Sequence, residues 1–159
     1  PKKRSIEEEA GLLDTDISDV NIIDNKTGSS LYTGVMDDLD VELYATADGK
    51  EVVAEFLDSL PAKHQAKAFR EIELLAECGT ALKEPHVKHI EEDIWELRIK
   101  FSSDISRIFY IVWQRDTLVL LHGFVKKTQK TPPREIETAK KRAEDYKQDI
   151  DEREEYAEQ

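Results

Sequence analysis

The side chains most able to do chemistry are arginines and lysines that recur late in the chain. Between positions 98 and 130 stand Arg98, Lys100, Arg107, Arg115, Lys126, Lys127 and Lys130 against only Asp104 and Asp116, a local net charge of +5. Cations gathered in this way meet phosphates, and phosphate contacts supply much of the affinity for a nucleic acid. His122 and Phe124 stand among them, and a flat ring is what an unstacked base lies on. The rest of the chain pulls the other way: the whole carries −12, residues 1–50 carry −7 and residues 131–159 carry −4. The average charge argues against a nucleic-acid ligand, while a basic centre between acidic ends argues for one. Cys78 is the single cysteine, and no cysteine or histidine cluster has metal-ligand spacing. An internal disulfide is excluded, and neither a metal nor another cofactor is expected.

Those cations need a scaffold, and the hydrophobic periodicity supplies one. Leu39, Val41, Leu43 and Ala45 alternate up to an Ala-Asp-Gly turn, which predicts a first strand over 39–46. Val53, Phe56, Leu57 and Leu60 share a helical stripe over 50–59 that Pro61 ends. Ala66, Phe69, Ile72, Leu75 and Ala76 mark a second helix over 62–77, stopped by Gly79. The period then changes to two. A short extended piece, HVKHI, precedes IWELRIKF, ISRIFYIVWQ and TLVLLHGFVKK, joined by Ser-Ser-Asp and Arg-Asp links. After Thr131-Pro132-Pro133 a long charged helix begins, proline being suited to a first turn. The expected class is α+β, with a helical hairpin and a C-terminal helix packed, mostly on one face, against an antiparallel sheet of three to five strands.

Register decides where the cations point. A two-residue turn at Ser103-Asp104 pairs Lys100 with Arg107 and Arg98 with Phe109; one at Arg115-Asp116 pairs Arg107 with Phe124 and Phe109 with His122. Glu96, Arg98, Lys100, Arg107, Phe109, His122, Phe124 and Lys126 then share one face. Trp95, Leu97, Ile99, Phe101, Ile108, Tyr110, Val112, Val119, Leu121 and Val125 share the other, which is core. Solvated ion pairs on an exposed sheet are the plain alternative to an RNA surface. His64, on the helical hairpin, is expected at the surface, and Trp95 and Trp113 in the core.

At 39% hydrophobic and 36% charged residues the chain has a polar surface around a modest core, and 159 residues suit one domain. No run approaches the roughly 18 apolar residues of a membrane span, and the first residues have no apolar signal region, so a cytoplasmic protein with no membrane partner is expected. Residues 1–35 read as an acidic extension, 36–150 as the folded domain and 151–159 as a frayed tail.

The stretches WELR, SRIFY and LLHGFVKKTQKTPP with the following EIxxAxxR, together with VAEFLxSLP earlier, resemble the phage-derived, HigB-like branch of the RelE/ParE toxin superfamily over roughly residues 39–147. The resemblance implies the toxin of a type II toxin–antitoxin pair. Such a toxin is a metal-free endoribonuclease that cuts mRNA in the ribosomal A site and is restrained by a helix-turn-helix antitoxin. It also implies roles. Arg107 matches the strand arginine on the scissile phosphate, and Arg98 a second phosphate contact. Lys88 and His89 occupy the segment that supplies proton-transfer groups. His122, Lys126 and Lys127 lie on the last strand, where further catalytic or RNA-binding groups fall, with Lys100, Phe124 and Lys130 completing the RNA contacts. A C-terminal tyrosine that some relatives stack on the base is missing, with Phe124 or Tyr146 as substitutes. Two other readings stay open: a ParE-like toxin that binds gyrase and needs no general base, and a non-catalytic phage regulator whose acidic residues 1–35 fold over the basic face.

Overall fold

In the computed structural model, residues 38–127 and 129–158 are described. The extension expected over 1–35, and its folding over the basic face, lie outside them. Five strands, β1 (Asp40–Leu43), β2 (Val87–Glu91), β3 (Ile94–Phe101), β4 (Asp104–Trp113) and β5 (Thr117–Val125), form one sheet in the order β1-β5-β4-β3-β2. Helices α1 (Val52–Asp58) and α2 (Ala62–Cys78) form the hairpin, and α3 (Pro133–Ala157) closes the chain. The α+β class is as read from the sequence. The sheet is mixed rather than wholly antiparallel, because β1 runs parallel to β5 at the edge.

The helices divide between the two faces, contrary to the expectation of mostly one. Val53, Leu57, Phe69, Ile72 and Leu75 of α1 and α2 pack on Leu97, Ile99, Ile108, Tyr110, Leu118 and Leu120. On the opposite face Ala139, Ala143 and Tyr146 of α3 pack on Ile94, Phe109, Ile111, Val119 and Leu121. A bulge causes the difference: Phe109 pairs with His122 but Tyr110 pairs with Leu120, so Leu121 is the extra residue in β5. Strict alternation puts Val119 and Leu121 with the hairpin helices. The bulge turns both to the other side, where each contributes about 1.5–3 kcal/mol once α3 covers it.

The turn between β3 and β4 falls at Ser102-Ser103, with Ser102 at φ 57°, one residue earlier than expected. Pairing therefore slides by two, so Arg98 faces Arg107 instead of Phe109, while every side chain keeps its face. The β4–β5 pairing of Arg107 with Phe124 and of Phe109 with His122 is as expected.

Three packing expectations change. His64 is buried, not exposed, because Ser106 of β4 offers its hydroxyl 2.8 Å from Nε2 and Phe101 stacks on the ring. Trp95 and Val125 are each more than a third exposed, since both lie at margins that the hairpin does not cover. Residues 151–157 continue α3 as helix, all of them exposed.

Gly123 explains part of the LHGF stretch. It faces α1, and a Cβ there would lie 2.3 Å from Cδ2 of Phe56, so only glycine lets α1 sit this close to β5.

Candidate functional site

α3 covers only part of its face of the sheet. Towards the β3–β4 hairpin the same face carries Lys88, Glu96, Arg98, Lys100, Arg107 and Lys126. Cross-strand pairing sets them side by side: Lys88 opposite Glu96 and Arg98 opposite Arg107. Lys126 follows β5, its N–H donating to Ile105 O at 3.0 Å, which prolongs the ladder past the strand's end.

Two cations directly opposite repel, and Glu96 compensates from the diagonal position. Arg107 Nη1 donates to Glu96 Oε2 at 3.0 Å, and both side chains are buried, at 4% and 2% exposure. Burial presses the Arg107 guanidinium below its ordinary pKa; Glu96 opposes that shift and Arg98 adds to it. Arg107 Nε and Glu96 Oε1 are buried with no hydrogen-bond partner among the described residues. One strong bond thus leaves a donor and an acceptor unmatched, each at a cost of about 1–3 kcal/mol.

Lys126 is half-buried beside this pair. Its pKa is lowered, first by desolvation and then by Arg107, with Arg98 and Lys88 adding and Glu96 opposing. Its ammonium is therefore a readier proton donor than that of an isolated lysine. Lys88 and Lys100 are exposed and Arg98 is half-buried. The patch is a shell of exposed and half-buried cations around one buried ion pair.

Other sequence candidates stand elsewhere. His89 pairs with Trp95 on the opposite face; its Nε2–H donates to Glu92 O at 2.6 Å, and its ring meets the Trp95 ring edge-on. His122 keeps the expected face but lies beneath α3. Arg142 Nη1 donates to its Nδ1 at 3.0 Å and to Leu121 O, so the neutral ring carries its proton on Nε2, which faces Glu135 Oε1 at 3.3 Å. Desolvation lowers the His122 pKa; Glu135 pulls it up without prevailing, and Arg142 pushes it further down. Phe124 is buried between Phe109 and His122, with ring centroids 5.2 and 5.6 Å away, so it is core and no platform for a base. Tyr146 is likewise buried, on the sheet-facing side of α3, its hydroxyl donating to Glu42. Lys127 and Lys130 are exposed on the segment leading to α3.

Three residues acquire importance that their sequence pattern alone does not assign. Glu96 had been placed on the cationic face without a role; its signal was a lone acid among cations of one parity. Arg142 and Glu135 are seven apart, two helical turns, and their shared face was the available clue.

A family described as Phage derived protein Gp49-like (DUF891) matches residues 55–144. That span runs from α1 through the first half of α3 and includes the whole cationic patch. No curated protein matches the chain.

Proposed function

The chain belongs to the phage-derived Gp49-like family, within the RelE/ParE-like toxin superfamily, and from that premise we propose that it is a toxin of a type II toxin–antitoxin pair that cleaves mRNA. The observation that supports this reading best is the convergence of Lys88, Arg98, Arg107 and Lys126 on one uncovered part of the sheet. A transcript's backbone is the polyanion such a patch fits, since sequence-tolerant binding rests on phosphate contacts.

In the proposed reaction the 2′-hydroxyl oxygen attacks its neighbouring phosphorus. The bond from phosphorus to the 5′-oxygen breaks, leaving a 2′,3′-cyclic phosphate and a free 5′-hydroxyl. The attacking hydroxyl must lose a proton and the leaving oxygen must gain one. Lys126 is the donor whose ammonium desolvation and then Arg107 destabilise; Glu96, enclosed and paired, holds Arg107 in position, and the proton of the attacking hydroxyl passes to solvent. Arg107 and Arg98 meet the charge that grows on the phosphoryl oxygens. His89 and His122, considered for proton transfer from the sequence, have no part in this scheme. The substrate is mRNA in the ribosomal A site, and a helix-turn-helix antitoxin holds the toxin inactive.

The test uses ribosomes programmed with a short messenger and the purified chain. Cleavage should yield a 5′-hydroxyl end and stop when the nucleotide before the cut is 2′-deoxy. Cutting of the deoxy messenger would show that the sugar hydroxyl is not the nucleophile.

A further inference from the structure

Beyond Ile150 no residue of the last helix is buried among the described residues. Residues 151–157 are helical and exposed, Tyr156 to 77%. They carry Asp151, Glu152, Glu154 and Glu155, with Glu158 following, against Arg153 alone. That arginine is tied back to Asp149 at 2.7 Å, and no basic residue occupies the last turn. Carboxylates at a helix C-terminus face the negative end of its dipole, and a short helical segment without packing is marginal in water. Two turns of helix are thus held in a mismatched state that a cationic neighbour would relieve.

The uncovered cationic part of the sheet has the complementary charge, but the same molecule cannot supply it. Glu135 lies against His122 and Tyr146 against Trp113, so α3 leads away from Lys126 towards the other end of the sheet. A helix of 25 residues is roughly 37 Å long, which leaves its tip far from its own patch. We propose that the acidic end of α3 docks on the uncovered cationic face of a second copy. The two copies exchange helix ends in a closed two-fold dimer, with Tyr156 as the aromatic anchor at each tip. Lys88, Arg98, Lys100 and Lys126 are then covered by carboxylates. That this excludes RNA rests on the function proposed above; the dimer itself does not.

Sedimentation of the full chain tests it. At low salt the protein should run at twice the monomer mass. Raising the salt about tenfold, which shortens the Debye length about threefold, should return it to monomer. Removal of residues 151–159, none of which is buried among those described, should give monomer at every salt concentration. Glu154→Lys with Glu155→Lys should do the same, and mixing that variant with Lys100→Glu/Lys126→Glu should restore a dimer of one copy each. A full chain that is monomeric at low salt, or a dimer that survives removal of 151–159, overturns the proposal. So does a dimer that is lost only when residues 1–37 are removed. No RNA enters these measurements, so failure of the nuclease reading leaves their outcome intact.

Discussion

At the scale of single residues, Arg107 is at once the centre of the cationic patch and half of a buried ion pair. Removing one partner of such a pair leaves an uncompensated buried charge. Arg107→Ala should therefore lose about 3–5 kcal/mol in denaturant unfolding, and Arg107→Lys clearly less; a loss under about 1 kcal/mol, the scale of an exposed pair, would show that the pair is not held as described. Activity is better probed at Arg98 and Lys126, which solvent reaches. His122 carries a second prediction. Its folded pKa lies below the ordinary 6.5 because burial disfavours the charged ring. The unfolded chain then binds the extra proton first, so the contribution is complete above the unfolded pKa and is lost as pH falls through the folded one. The melting temperature of the wild type should fall more steeply below about pH 6.5 than that of His122→Asn, which keeps an acceptor for Arg142; parallel curves would contradict this. Most of the patch was legible from types and alternation, because parity survives a two-residue slide of register. Burial was not: nothing in the local pattern tells that Arg107 is covered while Lys100 is exposed, or that the Phe124 ring is already stacked.

At the scale of elements, the strands and helices followed from their periods and turn residues, with β1 shorter than expected. The misread features were those that a single residue controls. The extra residue at Leu121 reverses alternation over the start of β5, and that reversal gives α3 an apolar surface to cover. Bulges leave little trace in a hydrophobic pattern when the neighbouring residues, as in TLVLL, are all apolar. Gly123 is the matching device on the hairpin side. Gly123→Ala forces the Phe56 ring or α1 to move and should cost about 1–3 kcal/mol. Joined to Phe56→Leu, it should cost less than the sum of the two changes, since the second removes what the first strikes. Additive losses would mean that Phe56 does not set the limit.

At the scale of the molecule, charge is segregated. Along the sequence acidic segments precede and follow the basic one, whose cations share one face of the sheet, and no helix among the described residues is long and apolar enough to cross a membrane. The solvent-reached cations Lys88, Arg98, Lys100 and Lys126, meeting about four phosphates, predict a plot of log affinity against log salt with a slope near −3 for single-stranded RNA. Lys126→Ala should reduce that slope by about 0.7, and an unchanged slope would place Lys126 outside the contact. The acidic whole, which at first argues against nucleic acid, matters less than where the cations stand. The most direct measurement is the mapping of mRNA 5′ ends after induced expression of the wild type and of Lys126→Ala and Arg98→Ala. New 5′-hydroxyl ends inside translated codons, lost in both variants, are predicted; growth arrest with intact mRNA would contradict the nuclease and favour a gyrase-binding toxin.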